Sequence, residues 1–389
     1  MTEPLAARLR GLRTSIFSEV SAAAATHDAA NLGQGFPDDD PPAHVVAAAH
    51  VALDDGHHQY APGPGIGSLR HAIADHQRRF HGLTVDPRTE VTVTFGATEG
   101  VTSAILALCD PGDEVIVLDP VYDSYPAIVA IAGAELVRVP IDPPREDRGW
   151  HLDLERLAAA FSSRTRLLVL NSPHNPTGLV LSPDELDVIA ALCIEWDVVA
   201  VTDEVYEHLV HDRSHVPLAT RPGMAERTVT VSSAGKTFSA TGWKIGWAVA
   251  APPLTSAIRA VKQYLSFSGA TPLQHAVVAA LGSDQQVYDE VTDRNHRRHH
   301  LLLEHLRAGE VAVTPSAGTY FVTVDLASLG HPDATAFSRT APEQYGVAVV
   351  PVAAFTSRPD EVRSLARLAA CKHDEVLVEG VRRLVAARR

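Results

Sequence analysis

Between residues 90 and 250 the chain repeats one pattern: a short, almost wholly apolar run, then a longer stretch with helical spacing of apolar positions. The runs are EVTVTF (90–95), EVIVLD (114–119), RLLVLN (166–171), VVAVTD (198–203), TVTVSS (228–233) and IGWAVA (245–250). Near-continuous apolar runs imply burial on both faces. The pattern therefore predicts an α/β fold with a mainly parallel sheet between helices. LSPDELDVIAALCIEW predicts a helix from its start: Ser182 caps, Pro183 suits the first turn and Glu185 completes a capping box. Toward the C-terminus the rhythm changes. VAVTPSAGTYFVTVDL (311–326) predicts strands around a turn, YGVAVVPVAAF (345–355) another strand, and HDEVLVEGVRRLVAARR a closing amphipathic helix. The expected organisation is an N-terminal segment (1–45) against the small domain and cleft, a large domain (46–290), and a smaller α+β domain (291–389).

Composition narrows the function. The chain has 389 residues, of which 46% are hydrophobic and 21% charged, enough for a large core. Its net charge of −14 argues against a nucleic-acid partner but leaves room for a local anion pocket. Cys109, Cys193 and Cys371 lie far apart, outside metal-ligand spacing, and read as reduced thiols. No apolar targeting segment or membrane-length run is present, so the expected location is the cytoplasm. HQRRFH (76–81) and HRRHH (296–300) interrupt helix-like stretches without a carboxylate or cysteine at ligand spacing. They read as solvated helix faces, and no metal site is expected.

In doubly wound sheets, ligands gather at the carboxyl ends of the strands. Here those ends are Gly96-Ala97-Thr98, Asn171 leading to Asn175, Asp203 leading to Tyr206, and Ser233 leading to Lys236. Gly96 turns a strand into a helix, whose N-terminal N–H groups suit phosphate, although many α/β turns use glycine without one. GPGIGS (63–68) follows no strand and is no dinucleotide fingerprint. Asp203 can cap a helix or keep a pyridine nitrogen protonated. NSPHNPTG (171–178) carries more special residues than a plain turn needs, and Asn175 can donate an amide hydrogen bond. Two lysines lie eight apart in SSAGKTFSATGWKIGW (232–247). Lys236, at a strand end beside small residues, suits desolvation and Schiff-base chemistry. Ser233 and Lys244 suit a phosphate. Phosphate site, carboxylate, amide, phenol and lysine are the parts a pyridoxal phosphate (PLP) enzyme needs.

These motifs resemble fold-type I PLP-dependent aminotransferases of class I/II, which have an aspartate aminotransferase-like fold, and the likeness runs nearly end to end. NLGQGFPD, SPHNPTG, TDEVYEHL and SAGKTFSATGWKIGW are similar to the kynurenine, glutamine and methionine aminotransferase group. QYAPGPGIGSLRHAIADHQRRF, YDSY and HVPLATRPGM are similar to actinobacterial N-succinyldiaminopimelate aminotransferases. The resemblance implies that Lys236 forms the Schiff base and shuttles the proton. It implies that Asp203 pairs with the pyridinium nitrogen, and that Asn175 and Tyr206 bond the cofactor's ring oxygen. Ala97, Thr98, Ser233 and Lys244 are implied to hold the phosphate, and Tyr122 to stack on the ring. Tyr60 is implied to reach the phosphate of a partner subunit, hence a homodimer. Arg367 is implied to grip the substrate α-carboxylate, with Gly35 in the segment that closes over it. The implied reaction is ping-pong transfer between an L-α-amino acid and a 2-oxo acid. Alternatives on the same scaffold are β-elimination from a cysteine conjugate and transamination of an unusual basic or guanidino amino acid. Two departures from the family pattern stand out: Leu368-Ala369-Ala370 and AFTS (354–357) lack the family's usual aromatics. They imply either an altered pocket or a repacked core.

Overall fold

The structure is a computed structural model that describes residues 6–10, 16–145, 148–211 and 213–389. Its strands are β1 (Ala30–Asn31), β2 (Val91–Phe95), β3 (Glu114–Asp119), β4 (Glu135–Asp142), β5 (His151–Leu152), β6 (Thr165–Asn171) and β7 (Val199–Asp203). They continue as β8 (Thr228–Ser233), β9 (Ile245–Val249), β10 (Ala312–Thr314), β11 (Phe321–Asp325), β12 (Val347–Ala348), β13 (Val350–Pro351) and β14 (Leu365–Ala369). Eight of them form one sheet in the order β2-β9-β8-β7-β6-β3-β4-β5. β8, β7, β6, β3 and β4 are mutually parallel, and β9 runs against both β2 and β8. The six apolar runs are all strands of this sheet. β4 escapes that criterion because Arg138 and Pro140 interrupt its apolar residues and five of its eight positions are only partly buried.

Strict alternation divides the core between the two faces. Val115, Val117, Val169, Val201 and Val231 meet Val101, Ile105, Ile128 and Ile258 from three helices on one side. Ile116, Leu118, Leu168, Leu170 and Ala200 meet Leu186, Ile189 and Cys193 on the other. The last three sit on the helix Pro183–Glu195. There Ser182 Oγ accepts from Glu185 N while Glu185 reaches back to Ser182 N, the capping box that the sequence predicts.

A second sheet, β10-β11-β14-β13, is antiparallel. Its core joins Val322, Val324 and Leu368 to Leu302, Leu306, Phe337 and Leu384. β1 pairs in parallel with β12, which carries Leu32 into the same core. The long helix Gln285–Ala308 contributes Tyr288 to a core against Trp247, and Val291, Leu302 and Leu306 to the core of the small sheet.

Candidate active site

A cavity of about 380 Å³ opens at the carboxyl ends of the parallel strands. Gly35, Ala97, Thr98, Tyr122, Asn175, Asp203, Tyr206, Ser233, Lys236, Lys244 and Arg367 all line it. Tyr60 does not: it stands 83% exposed, edge-on to Phe267 at 5.5 Å.

One end of the cavity is built for an anion. β2 ends at Phe95 and the helix Gly96–Leu108 starts at once, with no side chain capping it. Its N-terminal N–H groups and dipole favour negative charge. The reversed direction of β9 explains Lys244. An antiparallel strand begins at the edge where its parallel neighbours end, so the residue before β9 arrives beside Gly96. Two glycines permit this approach. A Cβ on Gly96 (φ +72°) would lie 3.0 Å from Lys244 Nζ, and one on Gly246 would lie 2.6 Å from the Gly96 carbonyl carbon. Ser233 ends β8 on the same rim.

The middle of the cavity holds the carboxylate. Asp203, the last residue of β7, is buried, and burial raises its pKa. Tyr125 opposes this by donating its hydroxyl to Oδ2 at 2.6 Å, and the Val205 N–H reaches Oδ1 at 3.4 Å. Asn171 ties two strand ends together: its Nδ2 donates to the Asp203 carbonyl at 2.8 Å and its Oδ1 accepts from Asn175 N at 2.7 Å. Lys236, one turn beyond β8, donates to the Gly35 carbonyl at 3.2 Å. Burial brings its pKa down to about 8. A lysine so shifted is a usable nucleophile and base near neutral pH.

Arg367 lies in the middle of the small sheet, 1% exposed, opposite Thr323 on one side and Val350 on the other. One terminal nitrogen donates to Asn175 Oδ1 at 2.8 Å and the other to the Gly33 carbonyl at 2.7 Å. The guanidinium packs over Phe321, Phe17 and Phe355, with centroids 4.0, 5.0 and 5.2 Å away. Those rings favour a cation where water is excluded. Its Nε is buried without a partner among the described residues. Guanidinium carries five N–H donors and two are used here, which leaves a set suited to a carboxylate.

Several features escape the sequence. Tyr125 follows Tyr122 by three residues, one helical turn on, and that spacing in YDSY is the signal that could have found it. Phe17 and Phe321 carry no local signal, since only the tertiary fold brings them to Arg367. Leu368, Ala369 and Ala370 are buried in the small core and none lines the cavity, which favours a repacked core over an altered pocket. The expectation of solvated histidine faces needs correction. His76 is buried, the His81 side chain is only 5% exposed, and Glu207, distant in sequence, supplies the missing carboxylate. His81 Nε2 lies 2.6 Å from Glu207 Oε2, and His76 Nε2 lies 2.8 Å from His208 Nε2. Burial opposes charge on the pair, but their attraction prevails: His81 titrates above its ordinary value and Glu207 well below. In the second run, Arg298 and His299 are buried as well.

The residues present fit pyridoxal phosphate. An uncapped helix start and Lys244 face a space that a single Cβ at Gly96 would invade. A lysine of lowered pKa, a buried carboxylate and an orphaned guanidinium N–H surround it. Fold and site thus define an α/β enzyme that holds a phosphorylated pyridine cofactor and an α-amino acid. Comparison with known proteins agrees. The family model for aminotransferase class I and II matches residues 27–384, and the chain belongs to that family. The structure of N-succinyldiaminopimelate aminotransferase from Mycobacterium tuberculosis is 47% identical, with TM-score 0.96 over 98% of this chain and 100% of that one. Methionine aminotransferase of Escherichia coli K12 is 38% identical over 97% of both chains. An aspartate aminotransferase single mutant from Thermus thermophilus is 34% identical, with TM-score 0.90 over 98% of this chain and 99% of that one. The protein is a PLP-dependent aminotransferase with an aspartate aminotransferase-like fold. No described helix is long and apolar enough to cross a membrane.

Proposed function

We propose that the chain exchanges an amino group between N-succinyldiaminopimelate and glutamate, through their 2-oxo acids, using the cavity residues in the roles the sequence suggests. The observation that carries the reaction is the meeting of Lys236, Asp203 and Arg367 in one cavity, the first two from strand ends of the large sheet and the third from the middle of β14 in the small one. The 47% identity to the Mycobacterium enzyme over nearly the whole chain supports the substrate.

When bound, the cofactor supplies an electron sink for negative charge at the substrate Cα and a carbon that stores the amino group. Arg367 binds and orients the substrate carboxylate, while Phe17, Phe321 and Phe355 keep water from it. Asp203, as the anion, would keep the proton on the ring nitrogen, and Tyr125 fixes its orientation. Asn175 and Tyr206 offer donors to the ring oxygen. Ala97, Thr98, Ser233 and Lys244 would hold the phosphate, and Tyr122 would pack against the ring. Lys236 would anchor the cofactor and, as a neutral amine, would take the proton from the substrate Cα.

We further infer a homodimer in which Tyr60 serves the partner's site. The chain is inferred to divide into residues 1–45, 46–290 and 291–389. The helix Gln285–Ala308, which feeds two cores on either side of residue 290, supports that division. A cytoplasmic setting fits three cysteines that form no disulfide.

The test is the visible absorbance of the PLP-loaded protein on single additions of glutamate, glutamine, methionine, kynurenine, arginine or N-succinyldiaminopimelate, with no acceptor. The expected result is loss of the lysine-bound band with glutamate and N-succinyldiaminopimelate. A response confined to methionine, kynurenine or arginine would sink this substrate assignment. Pyruvate and ammonia released from a cysteine conjugate without an acceptor would mark an eliminating enzyme instead.

A further inference from the structure

Residues 33–39 cross the mouth of the cavity as a strap. Gln34, Gly35 and Phe36 line it, and the Gly35 carbonyl accepts from both Lys236 Nζ at 3.2 Å and the Tyr320 hydroxyl at 2.6 Å. The outer half of the strap is held by charge. Lys372 Nζ donates to the Phe36 carbonyl at 2.9 Å and to Asp38 Oδ1 at 2.8 Å, and it lies 4.2 Å from the centre of the Phe36 ring. Arg298 grips both oxygens of Asp39, at 2.5 and 3.1 Å, and its Nε donates to Asp374 at 3.0 Å. Arg294 adds a contact to Asp39 at 3.4 Å. Lys372 and Arg298 are both buried and neither lines the cavity. Two buried cations are therefore committed to two consecutive carboxylates just beyond the residues that face the reaction. Burying a cation is costly unless its partners are well placed. Fork-to-carboxylate pairing also fixes geometry more tightly than a single contact.

We infer that Lys372 and Arg298 are positioning residues for substrate binding. Acting through Asp38 and Asp39, they hold the strap so that the Gly35 carbonyl meets Lys236 and Phe36 covers the cavity mouth. This rests on the roles proposed above for Lys236 and Arg367. The strap reaches Arg367 as well, because the Gly33 carbonyl accepts from that guanidinium. A shift of the strap therefore moves an acceptor of the carboxylate-binding arginine and an acceptor of the lysine together. The sequence already shows the raw material, three successive aspartates at 38–40 and a lysine five residues after Arg367, but not their pairing.

The test uses Asp39→Asn and Lys372→Met, which break different pairs with little change of volume, and Asp39→Glu as the conservative rescue. PLP-loaded proteins are mixed with rising L-glutamate, and separately N-succinyldiaminopimelate, without acceptor. The decay of the visible band gives an apparent Kd and a limiting rate. Asp39→Asn and Lys372→Met are each expected to weaken the apparent Kd about tenfold. Their limiting rates should fall less than about threefold, and Asp39→Glu should recover most of the affinity. A role in stability alone would lower the melting temperature and leave the Kd of the folded, coloured protein at the wild-type value; that result overturns the proposal. Lys236→Ala separates the two levels. Should it keep the lysine-bound band, the assignment of Lys236 falls and this inference falls with it. Should it lose the band while the strap variants bind normally, only the inference falls.

Discussion

Asp203 shows how a single residue is prepared for its role. A carboxyl buried at a strand end tends to pick up a proton, because burial penalises its charged form. The Tyr125 hydroxyl, 2.6 Å from Oδ2, stabilises the anion instead. Removing that hydroxyl with Tyr125→Phe leaves the ring packing and deletes only the donor. Hydrogen bonds to charged groups contribute about 1.5–3 kcal/mol, so kcat/KM is expected to drop about tenfold or more. The sign of the pH effect follows from the direction of the shift. In the role proposed for it Asp203 acts as the anion, so activity should be lost as pH falls through its pKa. Without Tyr125 that pKa rises, and the acid limb of the kcat/KM profile moves to higher pH. A profile that drops uniformly with an unmoved acid limb would separate Tyr125 from Asp203. Asp203 itself is legible in the sequence because it terminates an apolar run, whereas Tyr125 is hidden among ordinary helix residues.

At the scale of elements, the site depends on where strands stop. β6, β7 and β8 end at Asn171, Asp203 and Ser233, so residues far apart in sequence reach one rim. That much is legible in the sequence, since apolar runs mark strand ends to within a residue or so. The direction of β9 is not legible, because IGWAVA reads the same in either sense, and neither are the partners of His76, His81 and Arg298, which arrive from distant parts of the chain. Gly246 is where strand direction and chemistry meet. Its missing Cβ lets β9 lie against the first turn of the helix Gly96–Leu108; an added methyl would meet backbone at 2.6, 2.7 and 2.9 Å. Backbone cannot swing aside as a side chain can, so Gly246→Ala must part the strand from the helix. Overpacking of this kind costs about 1–3 kcal/mol. Urea denaturation of the cofactor-free protein should register that loss. Equilibrium dialysis should find PLP bound more weakly, because Lys244 sits two residues from the displaced point. Unchanged PLP affinity in a destabilised variant would detach the anion site from this packing.

For the molecule as a whole, the telling residue is the one that stands apart. Eleven of the twelve positions singled out by sequence line one cavity, and Tyr60 faces solvent. Tyr60, Tyr264, Leu265 and Phe267 form part of the exposed apolar surface, at 83, 89, 47 and 38% exposure. Large exposed aromatics of this kind mark interaction surfaces in soluble proteins. A two-fold dimer would cover the same patch on both copies at once and would carry each Tyr60 away from its own cavity. Complementation distinguishes this from a role for Tyr60 within its own chain. Lys236→Ala removes the amine proposed to react, and Tyr60→Ala removes the tyrosine. In a hybrid dimer with sharing across the interface, one site collects both defects and the other is intact. Random mixing makes about half of the dimers hybrids, so about a quarter of all sites in the mixture, and about half of those in the isolated hybrids, should regain wild-type turnover. If Tyr60 serves its own chain, every site keeps one defect and the mixture stays as inactive as its parents. Co-expression of the two variants with different tags, isolation of the doubly tagged fraction and one activity measurement decide between them.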